Sequence, residues 1–282
     1  MTFSIIGFDP VAEELGIAVQ SKFIGVGSVV PWAKAKVGAV ATQSYANPNY
    51  GPDGLKFMEE GKTAEETLNL LIEADEGRDY RQVGIMDWQG RAATFTGEKC
   101  FDWAGGKIGK NCVAQGNILV SEETVDAMVD TFEKTEGKLA ERLLKALNAG
   151  QAAGGDKRGM QSAAIYVVKE KGGYLEANDR LIDLRVDEHP DPINELIRIY
   201  NIHQLYFAGP VAEDALAITG EVKEEVITHL KRLGHLNGEN INEEAIYNGL
   251  ASFIEAESLT RRKLEDGKID AKVLDYLKVK EA

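Results

Sequence analysis

The sequence is poor in cysteine and in basic charge. Its 282 residues include two cysteines, Cys100 and Cys112, which are too few for a disulfide framework and have no histidines at zinc-ligand spacing. Lysine and arginine together number 32 against 46 acidic residues, and the net charge of -14 would repel nucleic-acid backbones and anionic lipid headgroups. Neither nucleic acid nor a membrane surface is therefore expected as a partner.

Long apolar runs and common catalytic motifs are also missing. No run approaches the roughly 20 residues that span a bilayer, and MTFSIIGFDP has no basic start or apolar stretch of a secretion signal, so we expect a cytoplasmic protein. The sequence has no H-E-x-x-H motif, calcium loop or nucleophile elbow, and its glycine-rich segment at 154–159 lacks a Gly-Lys-Ser/Thr ending. We expect no metal and no cofactor.

What the sequence does contain is a series of short β-like runs grouped between helices. The runs 3–8 and 15–21 flank an Asp-Pro turn signal and predict a β-hairpin. The patterns predict further strands at 26–30, 37–43, 83–87, 92–96, 112–115, 162–169 and 181–186, with helices at 51–61, 63–72, 121 onward, 138–148 and 191–206. Because strands and helices are grouped rather than strictly alternating, we predict a largely antiparallel α+β layer fold.

Capping signals mark the clearest helix starts and the end of the β region. Thr63 and Glu66 have the spacing of a capping box. Beyond 208 no convincing strand is found, whereas Asn242 and Asp270 are suited to cap helices. We therefore predict two domains, residues 1–208 and residues 209–282, the second being small and helical.

Several motifs together resemble a known family. They are MTFSIIGFDP, VPWAKAKVGAVATQSYANPNYGPDGL, GRDYRQVGIMD, VAQGNIL, AGQAAGGDKRGMQSAAIYVV and RVDEHPDPINEL. Over about residues 2–206 the chain is similar to the family called domain of unknown function one thousand and twenty-eight. Members of that family are assigned the fold of N-terminal-nucleophile (Ntn) hydrolases, so the resemblance implies a four-layer αββα sandwich.

A second resemblance concerns the C-terminal segment. HLKRLGHLNGENINEEAIYNGLASFIEAESL resembles a small helical domain that is thought to bind peptidoglycan. This resemblance implies a small all-α domain and peptidoglycan fragments as a ligand. The same apolar residues would serve the core of any three-helix domain, so both interpretations stay open.

The first resemblance also implies a set of catalytic residues. Ntn hydrolases attack an amide with the side chain of the first residue, whose own amine accepts the proton. Removal of Met1 would make Thr2 that residue, although Thr2 could simply be a β-branched residue that opens an edge strand. Lys34, preferred over Lys36, would lower the pKa of the nucleophile, although either lysine could instead be a solvated charge at a strand edge. Asp156 and Ser162 would support the nucleophile from a loop between a helix and a strand.

Seven further residues are predicted to bind substrate. Gln43, Asn47 and Asn117 could supply amide donors for an oxyanion, although such side chains also cap turns. The others are placed near Thr2 by the resemblance: Ser21, Lys22, Arg158 and Gln161. Asp156 and Arg158 could equally pair with each other to hold their loop.

Two hypotheses of different kinds follow. The first is an amidohydrolase or peptidase that acts on a small amide or peptide-like ligand through Thr2. The second is a catalytically inactive protein of the same fold, which binds a small molecule or a cell-wall glycopeptide or forms a homo-oligomeric scaffold. A homo-oligomer is expected in either case.

Overall fold

The computed structural model describes residues 2–238 and 241–281, and the chain divides into two compact units after Arg198. This point lies inside helix α5 (Pro192–Phe207), whereas the boundary predicted from the sequence, after residue 208, lies at the end of that helix. The sequence-based boundary stays a prediction. Among the described residues, no helix combines the length and the apolar character needed to cross a bilayer.

Two antiparallel sheets form the framework of residues 2–198, all of which are described. In chain order the strands are β1 (Thr2–Asp9), β2 (Glu14–Ser21), β3 (Pro31–Lys34), β4 (Gly38–Ser44), β5 (Arg81–Asp87), β6 (Ala92–Thr96), β7 (Gly105–Gly109), β8 (Cys112–Gly116), β9 (Ser162–Val168) and β10 (Arg180–Val186). The larger sheet has the strand order β10-β9-β2-β1-β8-β7, and the smaller has the order β3-β4-β5-β6. The predicted α+β class with antiparallel sheets is confirmed.

Each sheet is packed against its own pair of helices. The helices of this region before α5 are α1 (Tyr50–Glu59), α2 (Ala64–Glu73), α3 (Glu123–Lys134) and α4 (Leu139–Ala152). Helices α1 and α2 contact the smaller sheet, and α3 and α4 contact the larger one. The capping box at the start of α2 is confirmed, because Glu66 N–H donates to Thr63 Oγ1 at 3.2 Å while Thr63 N–H donates to the Glu66 carboxylate at 2.8 Å.

Strands β1 and β2 are buried on both faces. Ile6 and Ile17 face each other in register and belong to an apolar cluster that also includes Ala41 and Met86 of the smaller sheet. Because both faces are covered, the two strands read as nearly continuous apolar runs rather than as an alternating pattern. On the opposite face Gly7 lies close to α3, where a Cβ atom would come within 2.5 Å of the Phe132 ring.

Three segments of the first unit differ from the sequence-based expectation. The strand predicted at 26–30 is wrong: Val26–Ser28 is a 3₁₀ turn that follows Gly25, whose φ of 64° starts it in the left-handed region. Its apolar residues are buried at the end of the sheets without joining either ladder. Strands β3 and β7 were not predicted, because β3 has only four residues and β7 is rich in glycine.

The second unit is mainly helical, with helices α6 (Gly220–Arg232), α7 (Glu243–Ala256) and α8 (Ala271–Val279). Asn242 caps α7 and Asp270 caps α8, as predicted. The expectation of an all-α domain needs correction, since β11 (Ala215–Ala217) pairs with β12 (Lys268–Asp270). Strands of three residues are too short to give a period-two signal in the sequence.

Candidate functional site

Three hydroxyl side chains lie side by side where β1 and β9 begin and β2 ends. Thr2 is the register partner of Ser21, and Ser21 is the register partner of Ser162. Residues that are opposite in neighbouring strands project to the same face of a sheet, so the three side chains form a row. All three residues are buried, and Thr2 Oγ1 donates to Ser21 Oγ at 3.1 Å. The row includes both Thr2 and Ser162, which were predicted to be catalytic.

A cavity of about 360 Å³ opens beside Thr2. Its walls come from the segment after β2, from the end of β4 and from the start of β5, and the lining residues are Thr2, Phe23, Val26, Val29, Val30, Gln43, Ser44, Tyr45, Ala46 and Arg81. Thr2 is only 4% exposed, so it reaches solvent through a small part of its surface. Since β1 lies between β2 and β8, the alternative of an edge-strand position for Thr2 is wrong.

Buried amide side chains hold the backbone of Thr2 in place. The Thr2 carbonyl oxygen accepts from Gln43 Nε2 at 3.3 Å and from the Asn117 backbone N–H at 3.1 Å. Gln43 Nε2 also donates to Gln82 Oε1 at 2.8 Å, as does Asn117 Nδ2. Because these amide hydrogens already have acceptors inside the protein, Gln43 and Asn117 position Thr2 instead of offering free donors for an oxyanion.

Asp156 anchors the chain that leaves β2. Its carboxylate accepts from the backbone N–H of Lys22 at 3.3 Å and from Arg158 Nη2 at 2.7 Å. The side chain of Asp156 is fully buried, whereas that of Arg158 is 32% exposed. The pairing of Asp156 with Arg158 therefore holds their loop against the end of β2, which was the alternative interpretation of these residues.

Ser162 fixes the wall of the cavity through two hydrogen bonds to the segment after β2. Its Oγ donates to the Phe23 carbonyl oxygen at 2.5 Å and accepts from the Val26 backbone N–H at 3.1 Å. Phe23 and Val26 both line the cavity. Asp156 and Ser162 are thus placed close to the Thr2 end of the sheet, and both act on the segment between residues 22 and 26.

Lys34 is not brought to Thr2. In β4, Gly38 pairs with Lys34 while Gln43 contacts Thr2, and five residues of strand correspond to roughly 16 Å. Lys34 instead pairs with Glu59 at the other end of the sheet, and its side chain is 48% exposed. The sequence analysis expected Lys34 near Thr2 because it ends a strand. Since β3 runs antiparallel to β4, however, the end of β3 lies far from the end of β4, where Gln43 contacts Thr2.

Three predicted substrate-binding residues contact other groups. Asn47 Nδ2 donates to Asp75 at 3.4 Å, outside the lining of the cavity. Lys22 Nζ is exposed and donates to the Met160 carbonyl oxygen at 3.2 Å. Gln161 is tied to Ser21 through its backbone, the Gln161 N–H donating to the Ser21 carbonyl oxygen at 3.1 Å.

Arg81 and Tyr45 line the cavity but were not among the site residues predicted from the sequence. Arg81 Nε donates to Asp75 at 2.9 Å and Arg81 Nη1 donates to the Tyr45 carbonyl oxygen at 2.6 Å. The hydrogen bond from Arg81 is the main reason that the pKa of Asp75 falls to about 2. The arginine two residues before the apolar run 83–86, within the motif GRDYRQVGIMD, was the signal that could have pointed to this end of β5.

Residues suited to bind a metal do not cluster within 2–238 and 241–281, where no group of three or more His, Cys, Asp and Glu side chains is found. The two cysteines are separate. Cys112 is buried in β8, and burial raises the pKa of its thiol to about 12. Cys100 donates weakly to the Arg81 carbonyl oxygen at 3.3 Å.

Comparison with known proteins places the chain in a family. Residues 2–196 match the model of the Family of unknown function (DUF1028), and the protein belongs to that family. Residues 206–277 match the model described as "Putative peptidoglycan binding domain". Both resemblances found in the sequence are thereby confirmed.

A solved structure of the same family supports this assignment. The crystal structure of protein SPO2555 from Silicibacter pomeroyi, of the same family, is 29% identical, covers 79% of this chain and 88% of its own, and gives a TM-score of 0.67. Anbu (ancestral beta-subunit) from Yersinia bercovieri is 10% identical over 72% of this chain and 94% of its own, with a TM-score of 0.34 that supports no conclusion. No curated protein matches the chain.

Proposed function

We propose that the protein has the αββα sandwich fold and is an amidohydrolase or peptidase of the Ntn type, which acts on a small amide. Helices on the far side of each sheet and an apolar cluster shared by the two sheets support this layer order. The observation that carries the proposal is the position of Thr2. Its hydroxyl lies at the start of a central strand and in the wall of a cavity of about 360 Å³.

The proposed reaction begins once Met1 has been removed. Thr2 Oγ1 attacks the amide carbonyl carbon while the α-amine of Thr2, with an ordinary pKa near roughly 8, accepts the hydroxyl proton. The C–N bond then breaks, and the leaving amine takes that proton, which leaves an ester on Oγ1. Water hydrolyses the ester, releasing the carboxylic acid and restoring the hydroxyl. Ser21 Oγ, 3.1 Å from Oγ1, would hold the nucleophile in one rotamer.

The experiment compares Thr2→Ala and Thr2→Ser with the unchanged protein on small amide substrates. We expect the alanine variant to lose turnover and the serine variant to keep part of it, because serine retains a hydroxyl. Thr135→Ala, at the end of α3, is the matched control and should keep full activity. Intact mass of the natively produced protein must show removal of Met1; retention of Met1, or full activity of Thr2→Ala, would exclude Thr2 as the nucleophile.

Thr2→Ala is also expected to lower stability. Thr2 is buried and hydrogen-bonded, so its side chain contributes to the stability of the folded protein. Loss of the hydrogen bond should cost about 1 kcal/mol of unfolding free energy. Activity must therefore be measured well below the melting temperature of this variant, so that a loss of turnover reports chemistry and not unfolding.

A second proposed activity concerns the C-terminal unit, which would bind peptidoglycan fragments. The family match over residues 206–277 supports it. A cavity in this unit measures only about 20 Å³, which admits a water molecule but no sugar ring, so a glycan would bind to its surface. Calorimetric titration of the full chain with a disaccharide-peptide fragment tests the idea. Saturable binding supports it, whereas no binding at millimolar fragment would reject a glycan-binding role for this unit and would leave the proposed reaction at Thr2 untouched.

A further inference from the structure

The cavity beside Thr2 has a mainly apolar wall. Val26, Val29 and Val30 come from one short segment, and Phe23 and Ala46 extend the apolar surface on either side. Val26 and Val30 are almost completely buried, while Val29 is half-buried and is the most accessible of the three valines. Apolar surface that lines a cavity gains free energy when an apolar group displaces water from it.

The same wall is held in a fixed position. Ser162 Oγ accepts the Val26 N–H at 3.1 Å and donates to the Phe23 carbonyl oxygen, while Trp32 Nε1 donates to the Val29 carbonyl oxygen at 2.9 Å. These bonds tie both ends of the valine segment to β9 and β3. A cavity wall that is ordered before binding loses less entropy when a ligand enters, which sharpens selection by shape.

Charge in the cavity is compensated within the protein. Among the described residues that line the cavity, Arg81 is the one with a charged side chain, and it pairs with Asp75 at 2.9 Å. The pKa of Asp75 falls to about 2, so the pair is ionised at neutral pH, and Arg81 Nη1 is further engaged with the Tyr45 carbonyl oxygen. A charged group entering the cavity would therefore lose water without gaining an unpaired side-chain counter-charge.

From these observations we infer that the cavity selects the side chain of its ligand, and that the substrate class is an uncharged amide whose acyl part carries a branched aliphatic or aromatic side chain. Val29 is the residue that sets this selectivity. The volume of about 360 Å³ lies near the lower limit of ligand pockets, so it suits one side chain and its amide better than an extended peptide. This inference rests on the proposed function for its reaction, while the selectivity is a property of binding.

The test measures binding of three amides of similar size to the full-length protein: N-acetyl-leucinamide, N-acetyl-glutamic acid amide and N-acetyl-lysinamide. Ligand-observed NMR should show the leucine compound binding at least tenfold more tightly than either charged compound. Val29→Asp should weaken the leucine compound at least tenfold and make the lysine compound the preferred ligand. Val11→Asp is the matched control, because Val11 is 93% exposed in the β1–β2 turn, and it should leave the order unchanged.

A second variant keeps the test decisive if Val29→Asp fails to fold. Ala46→Leu fills part of the cavity and should reduce binding of the leucine compound at least tenfold. Equal binding of the three amides by the unchanged protein, or no detectable binding of any of them, would overturn the inference. Unchanged binding of the leucine compound by both Val29→Asp and Ala46→Leu would overturn it as well. Binding preference without hydrolysis would reject only the proposed reaction, whereas hydrolysis without a side-chain preference would reject only the inference.

Discussion

At the scale of single residues, the site depends on groups that connect different helices and strands. Asp75 follows α2, yet its carboxylate accepts from Arg81 of β5 at 2.9 Å and from the Tyr50 hydroxyl of α1 at 3.0 Å. Arg81 in turn holds the Tyr45 carbonyl oxygen beside the cavity. One ionised carboxylate thus links the end of β4, the start of β5 and the helices that cover the smaller sheet.

The depressed pKa of Asp75 predicts a specific dependence of stability on pH. A carboxyl group with a folded-state pKa of about 2 and an unfolded-state pKa of about 3.9 contributes stability that is fully present well above pH 4 and is lost as the pH falls towards 2. Asp75→Asn should therefore lower the free energy of unfolding at pH 7, and its difference from the unchanged protein should shrink between pH 4 and pH 2. Urea unfolding across this range measures the difference.

Glu59→Gln is the control for this pH series. Glu59 also pairs with a cation, Lys34, but both side chains are about half exposed, and exposed pairs contribute little. We expect Glu59→Gln to have the same free energy of unfolding as the unchanged protein across the pH series. If Asp75→Asn differed from the unchanged protein by the same amount at pH 2 and pH 7, ionisation of Asp75 would not be the source of its stabilising effect.

At the scale of elements, local signals in the sequence correctly predicted those features, such as helix caps, that form between residues close together in the chain. The capping box of Thr63 and Glu66 and the cap of Asn242 are satisfied within three residues, and both were predicted. The segment 26–30 has the composition of a strand, but its apolar side chains line a cavity formed by distant residues, and its backbone turns after Gly25. Pattern alone does not separate a buried turn from a buried strand.

The candidate site, too, could be predicted only where its contacts depend on residues close together in the chain. Thr2 and Ser21 meet because a hairpin joins their strands, and a turn signal predicted that hairpin. Ser162 completes the row because β9 pairs with β2, which requires pairing across about 140 residues of sequence. Lys34 was misplaced and Arg81 was missed, since both depend on strand direction within the smaller sheet, which no local pattern specifies.

The packing of the larger sheet on its helices predicts the effect of adding one methyl group. Gly7→Ala would place a Cβ atom 2.5 Å from the Phe132 ring and 3.1 Å from Leu143, both in a close-packed layer. We expect a loss of about 1–3 kcal/mol in the free energy of unfolding, because overpacking forces neighbours out of their preferred rotamers. Chemical denaturation measures this loss.

Gly209→Ala provides the comparison for the same substitution without crowding. A Cβ atom at Gly209 meets no atom within 4 Å, and its φ lies outside the left-handed region. Stability should stay within about 0.5 kcal/mol, as for an ordinary surface substitution. Equal losses in the two variants would show that the backbone freedom of glycine, and not the close approach of Phe132, determines the effect.

At the scale of the whole molecule, the second unit has its own buried polar centre. Arg262 is 1% exposed; its Nε donates to the Leu205 carbonyl oxygen at 2.7 Å and its Nη1 to Asp270 Oδ2 at 2.8 Å. The other carboxylate oxygen of Asp270 accepts from the backbone of Lys272 at 2.9 Å and caps α8. Asp270 therefore neutralises a buried cation and starts a helix at the same time.

This arrangement predicts that Asp270→Asn destabilises the second unit selectively. Asparagine keeps an oxygen for the α8 cap but leaves the Arg262 guanidinium buried without a counter-charge, which typically costs about 3–5 kcal/mol.

All three tryptophans of the chain, Trp32, Trp88 and Trp103, lie in the first unit, so their fluorescence reports on that unit, whereas far-ultraviolet circular dichroism reports on both. In Asp270→Asn, part of the dichroism signal should be lost at a lower temperature, while the unfolding temperature measured by tryptophan fluorescence should stay unchanged. The control is Asp266→Asn, at an exposed carboxylate of the same unit, which should alter neither signal. A parallel shift of both signals in Asp270→Asn would contradict separate stabilities and show that the two units unfold as one.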